Sequence, residues 1–291
     1  MLLVDKPAGV TSHDIVGAAR RALGESRVGH TGTLDPFATG LLILLIGRAT
    51  RLAQYVPDEP KVYEAVVQFG TETDTEDLDG TVTRTAALPT RAALTAALAG
   101  RVGTLEQVPP SYSAKRIGGV RAYALARVGT PVALAPAMVT VHAIEQCAVE
   151  EAEGFVRRAT LRVTCAGGTY VRSLARDIAR DASSAAHLVS LRRHSAGGFR
   201  VANAITLADL TDGDRAWAAV APPLTALDGY PRQPLTADEV ALVVRGIDVE
   251  ARVAGPHAAL IDGALIAFAE RRSSERGDRW QPRVVMRDPA S

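Results

Sequence analysis

Apolar positions along this chain repeat in two ways. From Lys61 to Phe69 they alternate, with Tyr63, Ala65, Val67 and Phe69 on one side and Val62, Glu64, Val66 and Gln68 on the other. A period of two predicts a strand covered on one face. Phe155 to Cys165 alternates in the same way and puts Arg158, Thr160, Arg162 and Thr164 on one face. Leu41 to Ile46 is apolar throughout, as in a strand buried on both faces, and Met1 to Val4 is a shorter apolar strand.

Helical spacing separates these strands. Ile15, Val16, Ala19, Ala22 and Leu23 line one face, Thr11 and Asp14 fit a capping box, and Gly24 ends the run. Thr90 to Leu98 predicts a second helix, with Thr90 as N-cap and Gly100 as its stop. Gly167-Gly168-Thr169-Tyr170 opens a third, with Val171, Leu174, Ala175 and Ile178 inward and Arg172, Arg176 and Arg180 recurring on another face. Residues 109–136 break both periods. They hold Pro109, Pro110, Gly118, Gly119, Gly129 and Pro131, basic residues at 115, 116, 121 and 127, and the interleaved Tyr112 and Tyr123. That composition predicts an insertion that leaves the core and touches a partner. Around 228–234 the chain turns to linker composition. A short helix over 237–245 follows, then two apolar runs, His257–Ile261 and Ala264–Ala269, joined by Asp262-Gly263, a strong hairpin signal. The expected organisation is a large domain over 1–229, carrying the insertion, and a small β-rich module over 230–291.

Composition narrows the class. Hydrophobic content of 47% and charged content of 22% are those of a soluble globular protein. A net charge of +1 gives no global reason to expect a polyanion partner. The charges are unevenly spread, however. Arginines 157, 158, 162, 172, 176, 180, 192, 193 and 200 face only Asp177 and Asp181 in their stretch, whereas Asp58 to Asp79 is acidic apart from Lys61. The basic stretch offers a local surface for phosphates; the acidic one reads as a solvated, turn-rich loop. Cys147 and Cys165 form no Cys-x-x-Cys, and the six histidines form no His-x-x-x-His, so neither a disulfide framework nor a metal site is expected. The chain starts without signal-peptide features, and its apolar runs fall far short of the roughly 20 residues of a spanning helix. A cytoplasmic, reduced protein is expected.

The candidate chemistry lies in Gly29-His-Thr-Gly-Thr-Leu-Asp-Pro-Phe-Ala-Thr-Gly40. Three glycines and three threonines surround one carboxylate, Asp35, set before Pro36 at the edge of the Leu41–Ile46 strand. An Asp-Pro step alone is a turn starter. The whole string, however, resembles the catalytic loop of bacterial tRNA pseudouridine synthases of the TruB family, which isomerise uridine at position 55 in the T-loop of tRNA. Asp5-Lys6-Pro7-Ala8-Gly9-Val10-Thr11-Ser12-His13-Asp14 resembles the opening motif of that family, and Lys61-Val62-Tyr63 its base-contacting strand. Gly168-Thr169-Tyr170-Val171-Arg172 and Leu191-Arg192-Arg193 resemble its two later active-site motifs. Pro110-Ser111-Tyr112-Ser113-Ala114, with Gly119, Tyr123, Ala126 and Arg127, is similar to its inserted thumb, although Arg116 stands where the family usually has lysine. The likeness runs in order from residue 1 to about 230.

The resemblance implies an α+β fold: a mixed, mainly antiparallel sheet with flanking helices, a thumb insertion over 109–136 and a small PUA-like RNA-binding module at the C-terminus. It implies Asp35 as nucleophile, Arg172 as its counter-charge and Tyr63 against the uracil face near C5. Tyr170 and Leu191 would line the pocket, and His30 would fill the gap left in the base stack by the flipped nucleotide. Lys6, Lys115, Arg116 and Arg192 would meet the RNA. No cofactor is implied, since the isomerisation exchanges no electrons and adds nothing. The implied partner is the T-arm of tRNA, taken by a monomer that needs no membrane and no protein partner. Two other readings stand beside this one. A tRNA-binding or refolding module would need no catalysis. A nucleoside hydrolase would need a second acid beside Asp35, for which Glu72–Asp79 is the source.

Overall fold

The computed structural model describes residues 1–112, 116–117, 120–121, 134–275 and 277–287. The strands in chain order are β1 (Leu2–Lys6), β2 (Val28–His30), β3 (Thr39–Ile46), β4 (Lys61–Phe69), β5 (Thr71–Thr73), β6 (Val82–Thr85), β7 (Gly103–Gln107), β8 (Arg116–Ile117), β9 (Val120–Arg121), β10 (Ala137–Ala152), β11 (Phe155–Cys165), β12 (Ala186–Ala196), β13 (Phe199–Arg200) and β14 (Ile205–Thr206). Five more follow in the C-terminal module: β15 (Arg232–Pro234), β16 (Val249–Glu250), β17 (His257–Asp262), β18 (Ala264–Ser274) and β19 (Gly277–Val285). The helices are α1 (Ser12–Leu23), α2 (Arg91–Gly100), α3 (Val171–Asp181), α4 (Leu207–Thr211), α5 (Gly213–Ala218) and α6 (Ala237–Val243). The mixed α+β class expected from the sequence is the one observed.

The chain divides into two compact units. The first comprises Met1–Asp35, Leu41–Asp58 and Asn203–Ser291, the second Pro36–Gly40 and Glu59–Ala202.

In the first unit β1 neighbours β3 and runs parallel to β14, and β2 pairs antiparallel with β3. Helix α1 closes one core. Its Ile15, Val16, Ala19 and Leu23 pack with Leu2, Val4, Leu42, Leu44 and Leu210. Thr11 makes the expected capping box with Asp14, and Gly24 closes the helix in the left-handed region at φ 61°. A glycine suits that closing position because it carries no Cβ. The C-terminal module forms its own sheet in the order β15-β17-β18-β19-β16, around Val243, Leu260, Ile266 and the fully buried Trp280. Buried Gln233 is satisfied at both ends of its amide. Its oxygen accepts from the Trp280 indole and the Arg252 amide, each at 2.8 Å, and its nitrogen donates to the Glu250 carbonyl at 2.8 Å. The Asp262-Gly263 hairpin forms where expected, with Gly263 at φ 63°. A 3₁₀ segment, Gly47–Tyr55, also belongs to this unit, and its Tyr55 ring lies 4.6 Å from Phe268 of β18.

The second unit is built on the strand order β12-β4-β11-β10-β7, antiparallel throughout, with the first two residues of β3 running parallel to β12. The two strands predicted from alternation, Lys61–Phe69 and Phe155–Cys165, are β4 and β11 with those same bounds. Tyr63, Ala65, Val67 and Phe69 are buried as expected, and α3 packs over β12 and β4. Helix α2 runs two residues past the expected Leu98. Gly100 is its last residue and Arg101 closes it by donating its amide to Leu98. Most of the insertion expected over 109–136, including Lys115 and Tyr123, lies outside the described residues. Within it, Arg116 pairs with Arg121 in a short antiparallel ladder.

Candidate active site

In the first unit, β2 ends at His30 and β3 begins at Thr39, which leaves Asp35 on an irregular loop. His30 sits opposite Leu44, and Thr31 donates its amide to the Ile43 carbonyl at 3.2 Å. Leu34 is buried, whereas Asp35 and His30 are half-buried, so Asp35 rises from a fixed base. That base comes from Ser12, the first residue of α1. Its hydroxyl accepts from the Leu34 amide at 2.9 Å and donates to the Leu34 carbonyl at 3.1 Å. Lys6 is fully buried, and its ammonium donates to the Pro7 and Val10 carbonyls at 2.9 and 2.8 Å. It thereby ties the turn that leads into α1.

The second unit brings another group together. Tyr63 on β4 stands in register with Arg193 on β12, and both are buried. Leu191, two residues earlier, pairs with Ala65 on the same face. Arg192 alternates to the opposite face, where its guanidinium donates to the Thr39 hydroxyl at 3.4 Å. Arg193 is the member of Leu191-Arg192-Arg193 that shares a face with Tyr63, and sequence reasoning passed over it. Period two, counted from Leu191, was the signal for it. Gly40 lies against Arg193 at φ 101°, and a Cβ there would come 2.3 Å from the Arg193 carbonyl oxygen. Only glycine permits that approach.

Helix α3 starts from a clamped residue. Buried Gln107 accepts the Tyr170 amide at 2.9 Å and donates to the Tyr170 carbonyl at 3.1 Å. Arg172 follows in the first turn and is 3% exposed. It donates to the Thr75 carbonyl at 2.6 Å and the Tyr112 carbonyl at 2.8 Å, and the Asp77 carboxylate is 3.5 Å away. A cation at a helix N-terminus is disfavoured by the dipole, and the Asp77 charge offsets that.

The acidic stretch is not the solvated loop expected from the sequence. Glu72, Glu76 and Asp77 are buried and face the arginine row of α3. Arg176 pairs with Glu76, whose other oxygen accepts from the Ser173 hydroxyl at 2.7 Å. Arg180 and Arg84 pair with Glu72 at 2.6 and 2.7 Å. The reason is solvation: an arginine row packed against a sheet needs anions at hand, and this loop supplies them. Glu76 itself sits in the left-handed region at φ 62°. Burial pushes its carboxyl pKa up, against the opposing pull of Arg176 and Ser173. Glu72 goes the other way. Burial raises its pKa, but the hydrogen bonds and charges of Arg180 and Arg84 outweigh this and hold it below the ordinary glutamate value. Asp77 was not singled out from the sequence, and nothing local to it distinguishes it from its acidic neighbours.

Among the described residues no cluster of His, Cys, Asp and Glu is arranged to hold a metal ion, and no helix is long and apolar enough to cross a membrane.

Similarity to known proteins bears on this arrangement. The archaeal box H/ACA sRNP Nop10–Cbf5 complex contains a chain of like fold, with TM-score 0.71 and 22% identity, covering 99% of this chain and 86% of that one. A second solved structure, a Cbf5–Nop10–Gar1 complex, gives TM-score 0.71 at 24% identity over 99% of this chain and 85% of its own. The tRNA pseudouridine synthase B of Thermobifida fusca strain YX is 41% identical over 98% of this chain and 97% of its own length. The protein of that name from Arthrobacter sp. strain FB24 is 40% identical over 92% and 89%. Fold, ordered motifs and relatives together define a pseudouridine synthase. Residues 20–171 match the family described as TruB family pseudouridylate synthase, N-terminal domain, and the chain belongs to that family.

Proposed function

We propose that this enzyme isomerises uridine to pseudouridine at position 55 in the T-loop of tRNA, with Asp35 as nucleophile. The observation that carries the reading is the Gly29–Gly40 string, whose single acid, half-buried Asp35, stands in sequence between buried Leu34 and buried Phe37. The names of the two bacterial relatives support tRNA as the substrate.

The reaction breaks the C1′–N1 glycosidic bond, turns the uracil and rejoins it through C5, whose proton leaves. No electrons are exchanged, so no cofactor takes part. Asp35 attacks the flipped nucleotide at C6 of the base or C1′ of the sugar, and Arg172 supplies its counter-charge and fixes its aim. Tyr63 lies against the uracil face near C5, and Tyr170 and Leu191 line the pocket. Flipping costs a few kcal/mol of stacking and pairing, and His30 fills the gap in the stack. Arg192, Lys115 and Arg116 meet the RNA backbone, while Lys6, expected from the sequence to meet the RNA as well, is fully buried and acts instead through the turn that it ties. Residues 230–291 form a PUA-like RNA-binding module beside the catalytic domain over 1–229. The enzyme works as a cytoplasmic monomer on the T-arm.

The test uses tRNA transcript labelled with tritium at uridine C5. The protein releases label to water, the product maps to position 55, and Asp35→Ala releases none. Label release by Asp35→Ala at the wild-type rate removes Asp35 from this role, and product at another uridine removes the assigned position.

A further inference from the structure

We propose that Ser12 is the positioning residue for Asp35, a role that rests on Asp35 being the nucleophile. Twenty-two positions separate Ser12 from Leu34, yet one hydroxyl serves both backbone groups of Leu34, the residue before the carboxylate. Ser12 is 3% exposed and Leu34 is 4% exposed, so water does not replace either bond. The span from Thr31 to Ala38 lies in no helix or strand. A loop without a ladder takes its shape from such side-chain bonds.

The anchor is itself fixed. Ser12 is the first residue of α1, behind the Thr11–Asp14 capping box, and α1 is seated through Ile15, Val16 and Ala19. A rigid helix end thus sets the height and direction of the Leu34–Asp35 peptide. Loss of the hydroxyl leaves a buried donor and a buried acceptor without Ser12. The peptide then shifts to find other partners, and Asp35 shifts with it. A displacement of about 1 Å at a reacting group costs roughly 100-fold in rate.

The experiment compares Ser12→Ala with Leu210→Ala, a fully buried core position of the same unit. Single-turnover tritium release, tRNA affinity and thermal melting are measured for both. Ser12→Ala is expected to lose about 10- to 100-fold in single-turnover rate, with tRNA affinity within about two-fold of wild type. Leu210→Ala is expected to melt earlier yet keep its rate well below its melting temperature. A folded Ser12→Ala with the wild-type rate overturns the proposal, as does a rate loss matched by Leu210→Ala at equal loss of melting temperature. Where Ser12→Ala does not fold, Ser12→Cys, similar in size but a weak hydrogen bonder, carries the same comparison. Asp35→Ala runs alongside. Turnover by that variant overturns the nucleophile, whereas an inert Asp35→Ala with a fully active Ser12→Ala overturns the role of Ser12 alone.

Discussion

Glu76 and Arg176, one hundred residues apart in sequence, form a buried ion pair between the acidic loop and α3. Arg176 also donates to the Val108 carbonyl at 3.0 Å, so the pair ties three segments of the second unit together. Removing one member of an isolated buried pair costs about 3–5 kcal/mol, but Arg176 also holds Asp177 at 2.8 Å and keeps that partner when Glu76 is neutralised. Glu76→Gln keeps an acceptor for Ser173 but removes the charge facing Arg176. Urea unfolding is expected to show a smaller loss, roughly 1–3 kcal/mol, and an unchanged stability would contradict the role given to the pair.

Glu72 predicts a dependence on acid. Its pKa in the folded protein is held below the ordinary value of 4.5 because Arg180 and Arg84 outweigh its burial. A carboxylate with a depressed folded pKa contributes stability that is fully present above its unfolded pKa and is lost as pH falls through the folded one. Glu72→Gln is therefore expected to be less stable than wild type at neutral pH. The gap should narrow below about pH 4.5. Unfolding midpoints measured from pH 7 to pH 3 check this, and a gap that widens on acidification has the wrong sign.

Gly40→Ala is expected to be severe. The new methyl would meet the Arg193 carbonyl at 2.3 Å in a backbone conformation with φ 101°. The left-handed geometry and the overlap together should exceed about 2 kcal/mol. Thermal melting measures the cost. A variant that melts with the wild type would mean that β3 and β12 separate at little cost.

The two thiols should react differently. Cys147 is exposed, whereas Cys165 is buried and burial pushes its pKa up to about 11. Thiolate is the reactive form, so Cys165 is protected twice over. Mass spectrometry after brief maleimide treatment at pH 7 should find one adduct, on Cys147, and two only after denaturation. Equal labelling of both in the native protein would refute this burial.

Elements whose signals lie side by side in the chain were legible from sequence. Thr11, Asp14 and Gly24 announce α1, and the alternation of β4 and β11 announces both strands. The Asp35 loop was legible through its glycines and threonines. β12 was not, because Arg193 is buried among apolar positions and the strand shifts register twice against β4. The acidic loop and the arginine row each looked like a solvated surface, since no local pattern records that charges about a hundred residues apart will meet. Ser12 escaped for the same reason: a bond to Leu34 leaves no periodic trace.

Strand β12 follows Ala186↔Phe69 to Ala196↔Lys61 with shifts after Leu188 and Arg193. Between those shifts, Leu191 and Arg193 face one way and Arg192 the other. The deletion or insertion of a single residue in that interval would exchange Arg192 and Arg193 between faces. An insertion before Arg192 would bring to Tyr63 the arginine that now bonds Thr39, and a deletion there would bring His194. Descendants of this sequence can therefore change the identity of many β12 side chains, but not the number of residues between the two irregularities.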